Sequence, residues 1–342
     1  MKPSKRNNID ILGGYKAEFS SEHAHMKKLL FLLLVGAGVP VFAQQDIQFT
    51  QFMNNRLYYN PGVAGSSGSI CITGMHRSQW VGFENAPVTQ NLNVDVPIKL
   101  LHGGVYLNIV NDQIGFFQNV YAGLGYAYQM EMGEGTLGIG VAVDIYTNQI
   151  KSGESYIVPD PGAGLDPSII NQGTSGTAID GTFGIYYQGG PMWFGASTRR
   201  LIGATTEFDS QAGSVTELQH TRHYFLMGGY DIPLSGTNIV LTPAAMVKFD
   251  ESALNPQADI NLSAMYNNQI WGGVTYRVQD AISLMAGYRI LPELQLAYSY
   301  DLTTSDLNSS SSGSHEISVN YCFKIAIPER KPGRYANPTW LL

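Results

Sequence analysis

The chain of 342 residues is poor in charge: Asp, Glu, Lys and Arg make up 14% of it, against roughly 25% in soluble domains. It holds only two cysteines, Cys71 and Cys322. With no CxxC pair and no Cys/His cluster at zinc spacing, a structural zinc site is excluded. Past Ala43 no apolar run approaches the roughly 18 residues of a membrane-spanning helix. Basic residues are scarce too. Residues 1–43 hold six of the 20 Lys and Arg and three of the 27 Asp and Glu, leaving 14 against 24 beyond them. That acidic balance speaks against nucleic acid as a partner, because phosphate binding rests on clustered Lys and Arg. The histidines past the leader, His76, His102, His220, His223 and His315, sit in no nucleophile–base–orienter pattern. No catalytic residue, cofactor site or metal site is assigned, and the chain reads as a non-enzyme.

What is present begins with a leader. Lys27 and Lys28 precede the apolar run Leu29 to Val35, which continues through small residues to Val39; Pro40 and Val41-Phe42-Ala43 follow. A charged start, an apolar middle and a small-residue cut site make residues 26–43 a secretory signal peptide. The run is shorter than the roughly 20 residues of a spanning helix. Residues 1–25 are polar and patternless and read as an over-called start, with translation beginning at Met26. The mature chain is expected to begin at Gln44, which is not a cysteine and so implies no lipid anchor.

The mature sequence alternates. In 292–301, Leu294, Leu296, Tyr298 and Tyr300 share one face, and Gln295, Ala297, Ser299 and Asp301 the other. In 136–146, Leu137, Ile139, Val141, Val143 and Ile145 oppose Gly138, Gly140, Ala142 and Asp144. Period two means strands with one apolar and one polar or small face. At 9 or more residues these strands exceed the usual 5–6 or so of a soluble sheet and suit a tilted membrane crossing. About fourteen can be placed, near 68–80, 87–97, 101–112, 118–131, 135–150, 178–188, 191–198, 221–231, 237–248, 256–266, 269–277, 281–289, 293–301 and 314–326. An even count suits a closed bacterial barrel, which leaves no backbone unpaired in lipid. The expected fold is all-β, a transmembrane antiparallel β-barrel over 68–326.

The connections 132–135, 188–191, 233–236, 267–268 and 291–293 are tight, and those between them mostly longer. Short periplasmic turns and long surface loops place loops 151–177 and 199–220 outside the cell. They place 44–67 and the tail 327–342 in the periplasm as N- and C-terminal segments. Arg77 falls on the polar face of the first strand and is expected to pair with an inward acid such as Asp95. Trp80 reads as an interface anchor. Met246, Met265 and Met285 point inward and imply a partly filled lumen. Cys71 and Cys322 fall on the inward faces of the first and last strands. These strands are neighbours in a closed barrel, so the two could lie side by side, and an oxidising compartment permits a disulfide between them.

Several blocks in order carry a family resemblance. An N-P-x-x-A-G turn stands at Asn60, Pro61, Ala64 and Gly65; an R-x-Q-W-x-G block follows at Arg77, Gln79, Trp80 and Gly82; then come Ala86, Pro87 and Thr89. With 111–115, 223–230, 298–307 and 313–321, these resemble the PorP/SprF proteins, outer-membrane components of type IX secretion and gliding motility. The resemblance covers nearly the whole mature chain to Tyr321–Phe323. It implies an outer-membrane component needed for export and surface anchoring of large, adhesin-like proteins with a C-terminal targeting domain. Its implied partners are that cargo, periplasmic and outer-membrane machinery subunits, and outer-membrane lipid. Tyr156, Phe208 and Leu307 on the outer loops are candidate partner-binding residues. So are Arg330, Lys331 and Arg334 in the tail. His315 and Glu316 open the last strand and read as a loop-fixing hydrogen bond first and a binding pair second. A diffusion porin or a small-molecule or lipid transporter is the alternative function.

Overall fold

The structure, a computed structural model, describes residues 46–151, 173–209, 215–251, 256–309 and 311–324. The first half of the wall comprises β1 (Ile70–Ser78), β2 (Val88–Ile98), β3 (Gly103–Ile114), β4 (Phe117–Met132), β5 (Gly135–Ile150), β6 (Ser175–Gly189) and β7 (Met192–Arg199). A hairpin β8 (Thr205–Asp209) and β9 (Val215–Gln219) rides on the next loop. The wall resumes with β10 (His223–Tyr230), the two-residue β11 (Ile232–Pro233), β12 (Ile239–Asp250), β13 (Gln257–Tyr266), β14 (Ile270–Arg277), β15 (Ala281–Arg289), β16 (Leu294–Thr303) and β17 (Ser314–Phe323). Each wall strand pairs antiparallel with its sequence neighbour. β10 pairs with β12, and β1 with β17, so the sheet closes on itself. Fourteen strands make the ring once the β8–β9 hairpin and the short β11 are set aside, in the places the alternation predicts.

Closure explains the exposure pattern. Ile260, Leu262, Leu284, Tyr298, Ile317 and Val319 all lie bare on the outside, whereas the residues between them are buried in the lumen. An apolar belt turned outward on every strand is stable only against lipid. Connections at one end are tight, such as Gly133–Glu134 and Gly190–Pro191, while the other end carries the long loops 79–87, 200–222 and 304–313.

The N-terminal segment, expected as a periplasmic stretch outside the barrel, lies inside it. Phe49, Phe52, Tyr59, Thr50, Gln51 and Asn60 are fully buried. The segment enters beside Arg199 at the long-loop end and leaves beside Cys71 at the tight-turn end. The reason is compositional: Phe49, Phe52, Leu57, Tyr58 and Tyr59 need burial that a periplasmic tail could not give them. The signal peptide, the upstream stretch and the tail 327–342 fall outside the described residues, as do Tyr156, Arg330, Lys331 and Arg334.

In the register of β1 and β17, Cys71 faces Cys322, and the two are joined by a disulfide across 251 residues of sequence. It ties the first strand to the last at the tight-turn end. Thiol labelling of unreduced, denatured protein should find no free thiol. Cys322→Ser should lower stability by about 3 kcal/mol in detergent unfolding. Two free thiols, or an unchanged midpoint, would remove the clasp from this account.

Candidate functional site

The site with the most chemistry is the lumen, where residues 46–68 form a plug. Its local shape follows from sequence. Asn60 caps a short 3-10 turn (Pro61–Val63), its Oδ1 accepting from Gly62 N at 2.8 Å. Gly65 closes the turn at φ +80°, a conformation glycine takes without strain. The same Asn60 donates from Nδ2 to the Ile185 carbonyl at 2.9 Å, and Gly65 N donates to Asp95 at 2.8 Å. The turn lies so close to the wall that a Cβ on Gly140 would run into the Pro61 and Gly62 backbone.

Higher in the lumen the plug meets an ionic cluster. Glu316 accepts from two consecutive plug amides, Thr50 N at 2.8 Å and Gln51 N at 2.9 Å. The Thr50 hydroxyl donates to Asp301 at 2.8 Å and accepts from Arg77 at 2.8 Å. Arg77 pairs with Asp301 at 2.7 Å and Glu316 at 3.1 Å; Arg277 pairs with Asp259 at 3.1 Å and reaches Asp301 at 3.5 Å. Every one of these side chains is buried. On the neighbouring strands β2 and β3, Asn55 exchanges amide hydrogen bonds with Asn91 and Asn93 at 3.0 and 2.6 Å, and Asn93 accepts from Asn108.

At the long-loop end Asp46 pairs with Arg199 at 3.0 Å and Arg200 at 3.4 Å. Burial pushes the Asp46 carboxyl up, but the two guanidinium groups outweigh burial and hold it well below the usual carboxylate range. Arg199 is also stacked between Tyr58 and Tyr121, 4.4 and 4.9 Å from the ring centres, a stabilising placement for a desolvated cation. His220 beside them is pushed down to about 4 by burial and by Arg200, so it is neutral at pH 7.

These placements correct several expectations. Arg77 does not pair with Asp95; the acids of β16 and β17 lie closer to it across the seam, and Asp95 serves the plug. Glu316 is fully buried, so it offers nothing to an outside partner. Phe208 is buried too, because β8 turns Thr206 and Phe208 inward, where Thr206 bonds Asn148 and His220 at 3.1 and 2.8 Å. His315 lies on the outer face, hydrogen-bonded to the Tyr298 hydroxyl at 2.6 Å. Leu307 remains exposed. Trp80 and Gly82 take positive φ in the loop after β1, and Gln79 N bonds Pro87 O at 2.9 Å. Asp301, Arg277, Asp259 and Arg199 are the residues sequence reading passed over. Charges on inward strand positions were their signal.

The pattern of the family described as type IX secretion system membrane protein PorP/SprF matches residues 41–321. No curated protein matches the chain. Among solved structures it is similar to the CymD monoaromatic hydrocarbon channel, with 11% identity over 75% of this chain and 87% of that one, at a TM-score of 0.46. The Ralstonia pickettii toluene transporter TbuX is similar at 10% identity, covering 80% and 94%, TM-score 0.45. The Acinetobacter baumannii outer membrane protein Omp33 follows at 9%, covering 75% and 98%, TM-score 0.41. Likenesses this distant carry nothing about function.

Removing the charge of Glu316 leaves Arg77 and the plug amides short of a buried acceptor. Glu316→Gln should cost about 3 kcal/mol and expose Arg56 of the plug to trypsin. An unchanged rate of cleavage at Arg56 would show that the plug is held by something else.

Proposed function

The chain belongs to the PorP/SprF family of type IX secretion system membrane proteins, and on that premise we propose that this outer-membrane barrel serves export and surface anchoring of large proteins bearing a C-terminal targeting domain. It does so as a docking component and not as their conduit. The observation that carries this reading is the filled lumen: residues 46–68 cross it from one end to the other, bonded to the wall at each level. A barrel sealed by its own chain has two useful surfaces, its ends.

The outer end supports cargo contact. Loops 79–87 and 304–313 are tied to each other by Val81 N to Gly313 O at 2.8 Å and Ser312 N to Val81 O at 2.7 Å. Together they present Val81, Phe83 and Leu307 bare to solvent. Apolar and aromatic groups on a backbone-fixed platform rimmed by Ser and Asp suit a protein partner. The tight-turn end faces the periplasm, where machinery subunits would meet it. The reading assigns the protein no catalytic step.

Deleting the chain should abolish surface display of one or a few secreted proteins while small-solute permeability of the outer membrane stays unchanged. If every secreted protein still reached the surface and only small-solute uptake fell, the alternative of a porin or small-molecule carrier would replace this one.

A further inference from the structure

The plug does not fill the periplasmic mouth evenly. Its last residues run along β1 to β6: Gln129 donates to the Gly62 and Ala64 carbonyls at 3.0 and 2.7 Å, and Gly65 meets Asp95. The sector between β7 and β16 is left open as a cavity of about 450 Å³, roofed by Met53, Asn54 and Arg56 of the plug. That volume is within the roughly 300–1,000 Å³ of ligand sites.

The lining has a definite chemistry. Trp193 and Trp271, two of the four tryptophans in the chain, form apolar walls with Met53 and Met265. Arg56 lies with its guanidinium 4.6 Å from the Trp193 ring centre; its Nε and Nη1 are taken by Met53 O and the Tyr186 hydroxyl. Among the described residues none takes its Nη2. Arg289, among the described residues, uses only Nη1, on Asn268, at 2.5 Å to Oδ1 and 3.1 Å to the carbonyl. Asp231 is the one acid of the lining among the described residues, and it is engaged by the Thr242 hydroxyl at 2.6 Å. Two guanidinium groups with unspent donors therefore outnumber one carboxylate, whose Oδ1 is already taken by Thr242. Gln188 and Gln295 add amides of the kind that bond a peptide backbone.

We propose that this vestibule binds an acidic peptide segment presented from the periplasm, its carboxylate held by Arg289 and Arg56 and its apolar neighbours lying against Trp193 and Trp271. The site rests on the orientation given under the proposed function, with the tight turns inward. Arginine suits a carboxylate because its planar fork matches the two oxygens. A half-enclosed site strengthens the attraction relative to open water. Trp and Arg are also the residue types that carry most binding energy at protein contacts.

The test uses the full chain in detergent and isothermal titration of acetyl-Leu-Glu-Leu-amide against acetyl-Leu-Gln-Leu-amide. The Glu peptide should bind about tenfold tighter. Arg289→Gln should erase that preference, and Trp271→Phe should weaken both peptides while leaving the preference in place. Retention of the Cys71–Cys322 disulfide and of resistance to trypsin at Arg56 checks that each variant keeps its fold. Equal affinity for the two peptides, no saturable binding, or a preference that survives Arg289→Gln would overturn the site. These outcomes are read on purified protein, so they stand apart from the display phenotype of a deletion strain.

Discussion

The structure depends on one carboxylate. Glu316 takes two successive amides of an irregular strand inside the barrel and at the same time balances Arg77. Irregular backbone at membrane depth survives only where something satisfies its polar groups. Here the wall strands do so with charge, through Glu316, Asp301 and Asp95, and with the amides of Asn91, Asn93 and Gln129. A buried ion pair is no stabiliser by itself, but removing one partner strands the other at a cost of about 3–5 kcal/mol. The cluster therefore acts as a condition: with the plug in place Glu316 has two amide donors and Thr50 bridges Arg77 to Asp301, and without it both contacts are lost.

The geometry of that cluster links plugging to closure. Arg77, Asp301 and Glu316 stand on β1, β16 and β17, the strands on either side of the seam, and the disulfide joins β1 to β17 at its lower end. Seating Thr50 brings together side chains that only the closed ring makes neighbours. The glycine content follows from the same arrangement. An inward face made of Gly138 and Gly140 on β5, Gly184 on β6 and Gly195 on β7 leaves room for the Asn60–Gly62 backbone to lie against the wall. The small inward residues of the sequence, compatible at first sight with a water-filled bore, are the seat of the plug.

The wall was legible because the bilayer enforces it. A strand in lipid has to alternate, and tight turns have to carry Gly, Pro or Asn, so strands and turn ends stand in the sequence with little ambiguity. The neighbourhood of Cys71 and Cys322 could be read because a closed ring makes its ends adjacent and parity sets both side chains inward. The plug left no such trace. Residues 46–68 have no period, and their partners stand up to 267 positions away, as for Gln51 and Ser318. Nearness in sequence then misleads: Asp95, on the adjacent strand, was the obvious partner of Arg77, yet acids more than 200 positions on hold it. Phe208 and Glu316 were read as surface residues because a loop or a strand end was taken as exposed, when the hairpin and the plug each supply a cover.

The central claim is that the lumen is closed by the chain itself, which is what turns a barrel into a docking component. The most direct measurement is the conductance of the purified, reconstituted protein in a planar bilayer. The account predicts no sustained current above the bare membrane under conditions where the seam disulfide is intact. A large, steady, non-selective conductance from that same protein would mean an open bore, and the account would fail.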